Sequence, residues 1–179
     1  MSQLALKSLL PGVPDFYQGT ERWDFSLVDP DNRRPVDFAA RERMQSASQV
    51  PWTDLAADWR DGRIKQALTH KFLELRQRHP DVFQRGTCIA LEISGEHAAH
   101  VVANARTFRQ HEIVVAVGRH FAPLADGGRR WPSDWRAVIM LPQGARYRDA
   151  LQTTDVTFAG RAELSNLFST IPIAVLLRI

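Results

Sequence analysis

The residues best suited to chemistry begin with two aromatic rings and a carboxylate near the start of the chain, at Tyr17, Trp23 and Glu21. Aromatic rings stack on the apolar face of a pyranose, and carboxylates form hydrogen bonds with its hydroxyl groups. Pro11 and Pro14 precede these residues, which predicts that they lie on a loop. The combination is typical of a sugar-binding site, although Glu21 and Trp23 could equally serve as anchors of the loop itself.

A second stretch concentrates polar side chains between two prolines. Its candidate binding residues are Asp29, Asp31, Asn32, Arg33 and Arg34. Pro30 and Pro35 restrict the backbone, so the side chains are held in defined directions. The alternative is a solvated turn with internal salt bridges, because Asp, Asn and Pro all favour turns. A calcium loop is excluded because Arg33 stands where an oxygen ligand is needed, and no other metal site or cofactor is predicted.

The helices and strands that must position these residues are predicted by sequence patterns of different clarity. Residues 4–10 are apolar apart from Lys7 and Ser8, which predicts a buried strand. Residues 39–49 are helix-prone, with a weakly amphipathic pattern. The clearest helix follows Asp61 and ends at Pro80. Its apolar residues repeat with helical spacing at Ile64, Leu68, Phe72 and Leu75.

From residue 87 onward the pattern changes to short apolar or β-branched runs separated by Gly, Pro and Asp. Seven strands are predicted, at 87–93, 100–106, 112–118, 135–141, 146–151, 155–159 and 172–179. Such a series predicts an antiparallel β-sandwich. The chain is therefore expected to have mixed α and β structure, with one part at 1–86 and a second at 87–179.

Composition limits the classes of function. A hydrophobic content of 44% and a charged content of 24% are ordinary for a globular protein. The net charge is only +3 and the basic residues are scattered, so no nucleic-acid partner is expected. No apolar run is long enough to span a bilayer and no signal-peptide pattern is present, so no membrane partner is expected. The single Cys88 fits a cytoplasmic location.

Two segments resemble a known enzyme family. Residues 11–21, Pro-Gly-Val-Pro-Asp-Phe-Tyr-Gln-Gly-Thr-Glu, are similar to the eighth barrel strand and following loop of the α-amylase superfamily. Residues 26–37, Ser-Leu-Val-Asp-Pro-Asp-Asn-Arg-Arg-Pro-Val-Asp, resemble more narrowly the maltooligosyltrehalose synthases. The resemblance implies the remnant of a (β/α)8 barrel, namely its last strand, loop and helices, followed by a C-terminal antiparallel β-sandwich.

The resemblance also implies a chemistry. The family isomerises the reducing-end α-1,4 linkage of a maltodextrin to an α,α-1,1 linkage by retaining intramolecular transglycosylation. Retaining enzymes use two carboxyl groups about 5–5.5 Å apart. In the superfamily the catalytic carboxylates precede the eighth strand, so the resemblance implies no catalytic residue in this chain and no activity of the chain alone. The implied partners are a maltooligosaccharide substrate in the full enzyme and the missing N-terminal catalytic barrel.

Two other interpretations of the function stay open. The chain could be a free-standing carbohydrate-binding or scaffold module, or a subunit that complements a separately encoded catalytic half. A single barrel strand without its neighbours exposes both edges and both faces. Residues 1–36 are therefore expected to be disordered, packed against the sandwich, or paired with a second chain.

Overall fold

The computed structural model describes residues 1–27, 29–46, 50–127, 129–152 and 156–179. Its α-helices are α1 (Ser2–Leu9), α2 (Phe38–Ser46), α3 (Trp52–Ala57), α4 (Arg63–Arg78), α5 (Pro80–Arg85) and α6 (Leu164–Leu167). Its strands are β1 (Thr87–Ala90), β2 (Ile93–Ser94), β3 (Val101–Phe108), β4 (His111–Gly118), β5 (Val138–Met140), β6 (Arg146–Asp149), β7 (Thr157–Ala159), β8 (Arg161–Glu163) and β9 (Ile173–Arg178). Helix and antiparallel sheet are thus both present, as the sequence predicts.

The predicted strand at residues 4–10 is wrong, because this segment forms helix α1. Leu4, Ala5 and Leu9 are buried on one side of the helix, and the Ser8 hydroxyl donates to the Leu4 carbonyl at 2.6 Å. The apolar run fits a helix as well as a strand, and a strand would need neighbours to pair its backbone groups. A helix satisfies most of those groups within the segment itself.

Helix α4 confirms the clearest helical pattern in the sequence, and its four predicted apolar residues are all buried. Before the helix, Gly62 adopts a φ of 83°, which is a left-handed conformation that favours glycine. The Asp61 carboxylate accepts the N–H of Arg63 at 2.8 Å. The helix predicted at 39–49 corresponds to α2. Residues 47–49 of that prediction lie outside the described part of the chain.

The strands form one antiparallel sheet with the order β1-β3-β4-β9-β6-β7-β8-β5-β2. Only Leu91 and Glu92 separate its two edge strands, β1 and β2. The Leu91 N–H donates to the Ala103 carbonyl at 2.9 Å, and the Glu92 carbonyl accepts the Met140 N–H at 2.9 Å. The sheet therefore folds over on itself, and the predicted strand at 87–93 is a bent segment that joins its two ends.

Two hydrophobic clusters lie on opposite faces of the sheet. Val114 and Ala116 of β4 face the inner cluster, which also contains Trp135, Tyr147 and Phe168. The alternate residues of β4 face the helices, in a cluster with members from α1, α3, α4, α5, β4 and β9. Side chains alternate between the faces of a strand, so a strand covered on both faces needs an unbroken apolar run.

The helical layer places the N-terminal segment on the sheet. Helix α1 packs against both α4 and β4. Of the three expectations for residues 1–36, α1 follows the one in which the segment packs against the β-sheet part of the chain. The division of the chain into 1–86 and 87–179 coincides with the change from helix to strand, and two separate domains stay a prediction. Within the described residues, no helix is both long and apolar enough to cross a membrane.

Candidate sugar-binding loop

The first candidate stretch follows α1 and turns sharply at Tyr17–Thr20. The backbone N–H and the hydroxyl of Thr20 both donate to the Tyr17 carbonyl, at 3.1 and 2.7 Å. Gly19 has a φ of 86°, and a Cβ there would lie 3.0 Å from the Val36 side chain. The turn leaves the Tyr17 side chain 42% exposed, so its ring is accessible to a ligand.

Arg41 of helix α2 holds this turn in place. Its Nε donates to Glu21 Oε2 at 3.0 Å, and its two terminal nitrogens donate to the Gly19 and Asp37 carbonyls at 2.8 and 3.0 Å. The Arg41 side chain is only 19% exposed. Glu21 is thus an ion-paired anchor of the loop, which is one of the two roles that the sequence leaves open.

Trp23 is also anchored by protein contacts. Its indole N–H donates to the Trp59 carbonyl at 2.7 Å, and the two rings meet edge to face with centroids 6.0 Å apart. The Lys65 ammonium lies 5.5 Å from the centroid of the Trp23 ring and donates to the Arg22 carbonyl at 2.8 Å. Burial lowers the pKa of Lys65, with a further contribution from Lys7. These contacts hold Trp23 against α4 and restrict its freedom to stack on a sugar.

The second candidate stretch is held together by its own charges. Arg33 forms a two-pronged ion pair with Asp29, and Arg34 contacts Asp31 Oδ1 at 2.6 Å. Asp31 Oδ2 also accepts the Leu27 N–H at 2.9 Å. The hydrogen bond from Arg34 lowers the pKa of Asp31, and the same contact raises the pKa of Arg34. The Asp31–Arg34 pair therefore carries full charge near neutral pH.

These ion pairs agree with the alternative interpretation of the sequence, a solvated turn with internal salt bridges. They nevertheless leave the side chains of Arg33 and Arg34 accessible to a ligand. The Arg33 and Arg34 side chains are 67% and 68% exposed. A carboxylate occupies only part of each guanidinium fork, and the remaining donors can reach an added hydroxyl group. Asn32 differs from its neighbours because its Oδ1 is buried and has no donor among the described residues.

The structure keeps the two candidate stretches distinct. Within the described residues, no hydrogen bond or ion pair joins Tyr17, Glu21 or Trp23 to residues 29–34. Asp24, which lies between the two stretches in the chain, contributes through its charge to raising the pKa of Arg34. Substrate binding by any of the eight candidate residues stays a prediction.

Sequence reasoning missed the residues that position the loop. Arg41, Trp59 and Lys65 lie on or beside helices, between 20 and 43 positions after the residues that they hold, which fall within 19–23. No spacing rule connects such distant residues. The one signal that could have pointed to these residues is a physical requirement. If Glu21 and Trp23 are partly buried, their polar groups need hydrogen-bond or ion-pair partners elsewhere in the fold. In the described part of the chain, no group of three or more His, Cys, Asp or Glu residues is arranged to hold a metal ion.

Apolar side chains on the loop are unusually exposed. The exposed fractions of Val13, Phe25 and Leu27 are 97%, 90% and 77%. Exposed large apolar groups that occur together in one segment are typical of a surface that contacts another protein element. The loop thus combines polar groups suited to a sugar with apolar groups suited to a protein contact.

Comparisons with known proteins give a consistent result, although no family model matches the chain. A protein of Mycobacterium tuberculosis, provisionally named a maltooligosyl trehalose synthase, is 39% identical over 170 residues. That match covers 94% of this chain and 19% of the relative. The chain therefore spans about a fifth of the length of the relatives it matches.

Solved structures agree with the sequence comparison. The maltooligosyltrehalose synthase of Arthrobacter ramosus matches with a TM-score of 0.73 and 33% identity, over 98% of this chain and 22% of that structure. An Anoxybacillus α-amylase matches with a TM-score of 0.56 and 19% identity, over 99% of this chain and 31% of that structure, which shows a shared fold alone. This chain is a homologue of the C-terminal part of the maltooligosyltrehalose synthases.

Proposed function

We propose that this chain acts as the C-terminal part of an isomerase that converts the reducing-end α-1,4 linkage of a maltodextrin to an α,α-1,1 linkage. The observation that carries the proposal is the match to synthases along nearly the whole chain, in sequence and in structure. The chain contributes a substrate loop and stabilising packing, while the catalytic carboxylates belong to the rest of the enzyme. A cytoplasmic location is part of the proposal and rests on the single Cys88.

Within this function the eight candidate residues divide by their surroundings. Tyr17, Arg33 and Arg34 have the exposure needed to contact a sugar. Asp29 and Asp31 hold the two arginines in position. Asn32 stands between Asp31 and Arg33 in the chain, and its buried Oδ1 has no donor among the described residues.

The remaining two candidates, Glu21 and Trp23, would act mainly by fixing the loop to α2 and α4. Both already use their polar groups in contacts within the protein. Substitution of either residue should therefore reduce the activity of the complete enzyme by displacing the loop.

The proposed partner of the loop surface is the catalytic barrel. Val13, Phe25 and Leu27 would be covered by that partner, since burial of exposed apolar area favours association. The finer proposal, that residues 1–86 are the end of a (β/α)8 barrel, is supported by the resemblance of residues 11–21 and by a long helix, α4, after the loop. Helix α1 gives it no support.

The proposal is tested by an assay for α,α-1,1-linked product from maltopentaose. The chain is assayed alone and after mixing with the N-terminal part of a homologous synthase, and activity is expected only in the mixture. Arg33→Ala with Arg34→Ala should lower the activity of the mixture. Product formation by the chain alone, or an inactive mixture in which the two parts demonstrably bind each other, would refute the proposed role.

A further inference from the structure

Three tryptophans from separate parts of the chain contact one another in series. Trp23 belongs to the loop, Trp59 opens the short 3₁₀-helix Trp59–Asp61, and Trp131 lies in the connection between β4 and β5. The ring centroids are 6.0 Å apart in both pairs, and both pairs meet edge to face. Aromatic rings attract each other in this arrangement. This tryptophan series therefore runs from the sheet-forming part of the chain to the loop.

Hydrogen bonds fix the two outer rings of the series. The Trp131 indole N–H donates to the Ala56 carbonyl in α3 at 3.0 Å, and the Trp23 indole N–H donates to the Trp59 carbonyl at 2.7 Å. Both outer tryptophans are half-buried, and a buried donor without an acceptor would be costly. Each outer ring is thus held in one orientation.

The loop and the 3₁₀-helix are joined at further points. Arg22 Nη2 donates to the Asp61 carbonyl at 2.6 Å. The two backbones also approach closely, since a Cβ added at Gly62 would lie 3.2 Å from the Trp23 backbone nitrogen. A shift of the 3₁₀-helix would therefore displace Arg22 and Trp23, which precede the candidate binding residues at 29–34.

The position of the 3₁₀-helix depends on tertiary contacts. A helix of three residues is not stable by itself, because its few hydrogen bonds do not offset the entropy lost in ordering its backbone. Helix α4 begins directly after Gly62 and fixes one end. Trp131 contacts both the ring of Trp59 and the carbonyl of Ala56, three positions earlier. Trp131 thereby ties the segment between α3 and α4 to the sheet-forming part of the chain.

We propose that Trp131 is a positioning residue of the substrate loop, which acts through Trp59 to set the place of Trp23 and of the binding residues that follow. The coupling of the three rings stands on their contacts alone, while its effect on a substrate rests on the proposed function. Because the catalytic carboxylates belong to the rest of the enzyme, loss of the Trp131 contacts weakens substrate binding and leaves the chemical step nearly unchanged.

The first test is an NMR measurement on the ¹⁵N-labelled chain, whose five tryptophans give five indole N–H signals. Trp23→Phe identifies the Trp23 signal. In Trp131→Ala this signal should move, because Trp59 loses a contact that holds its ring and carbonyl in place. Trp131→Phe keeps a ring against Trp59 but not the hydrogen bond to Ala56, so it should move the signal less.

The matched control is Trp52→Ala, because Trp52 is half-buried against the same hydrophobic cluster. Among the described residues, its ring has no edge-to-face contact with the tryptophan series, so the Trp23 signal should stay in place. The backbone amide signals of the sheet show whether each variant is folded. An unmoved Trp23 signal in folded Trp131→Ala, or an equal movement in Trp52→Ala, would overturn the proposal. Trp131→Phe is judged by the same criterion if Trp131→Ala does not fold.

A kinetic measurement tests the effect on substrate, in the mixture with the N-terminal part of a homologous synthase. Trp131→Phe should raise KM for maltopentaose about fivefold, the effect of one lost hydrogen bond, with kcat within about twofold of the unaltered mixture. A merely unstable variant would instead reduce the amount of active enzyme and hence kcat. An unchanged KM, with or without a fall in kcat, would contradict the positioning role. An inactive mixture of unaltered parts would refute the proposed function, whereas the NMR measurement would still decide the coupling.

Discussion

Strand β4 and the loop of residues 11–38 show two opposite ways of ordering a polypeptide. Strand β4 is buried on both faces between two apolar clusters, with its residues 112–118 all buried. The loop instead leaves Val13, Phe25 and Leu27 in solvent and is held by a few contacts to distant helical residues. Stability therefore resides in the sheet and its helical cover. The loop can be altered without unfolding that scaffold, which is a useful property for a binding segment.

The largest expected effect comes from the apolar core. Phe72→Ala removes a fully buried ring under the sheet and should lower the free energy of unfolding by about 3–5 kcal/mol. Phe25→Ala removes a ring of the same size that is 90% exposed, and should change stability by no more than about 0.5 kcal/mol. Urea denaturation of the two variants measures the contrast. Similar losses would show that the loop is part of the cooperative core.

A smaller effect, dependent on pH, should come from Asp149 beside β9. Its Oδ1 accepts the Leu151 and Val175 N–H groups at 2.9 and 3.2 Å, and burial raises the pKa of its carboxyl from 3.8 to about 6. The folded state thus holds this proton more tightly than the unfolded chain. The resulting stabilisation is fully present below about pH 4, and roughly 3 kcal/mol is lost as the pH rises through 6.

Asp149→Asn provides the control for this pH effect. The amide keeps the acceptor oxygen but cannot ionise, so the variant should lack this loss and be more stable than the unaltered chain above pH 6. Denaturation midpoints measured across the pH range give the comparison. Parallel pH profiles of the two proteins would mean that burial does not shift the ionisation of Asp149.

The smallest expected effects distinguish Arg41, which holds the loop from helix α2, from Arg33, which is an exposed residue of the loop. Arg41→Ala removes three contacts of a side chain that is 19% exposed, and should lower the free energy of unfolding by about 1–3 kcal/mol. Arg33→Ala breaks an exposed pair and should cost no more than about 1 kcal/mol. Limited proteolysis at residues 11–38 should accelerate for Arg41→Ala alone. Equal cleavage of both variants would contradict the assignment of Arg41 as the anchor.

The sequence predicted much of the fold and a smaller part of the loop's geometry. Helix α4 and most strands were predictable because each places its apolar residues with a regular period. The bent segment of β1 and β2 and the separate strand β8 were not, since bends and short strands depend on partners elsewhere. The paired charges of residues 29–34 were anticipated as one of two alternatives, because every partner lies within four positions.

The sequence by itself determined the local features of this protein: the amphipathic face of α4, the strand-forming runs of the sheet and the charge-rich loop with its family resemblance. Tertiary structure decided that residues 2–9 form a helix, that β4 is covered on both faces, and that Arg41 and Trp59 hold the loop. The physical reason is the distance along the chain over which each effect acts. Periodicity and turn chemistry act over a few residues, whereas burial and long-range hydrogen bonds exist only after distant segments have met.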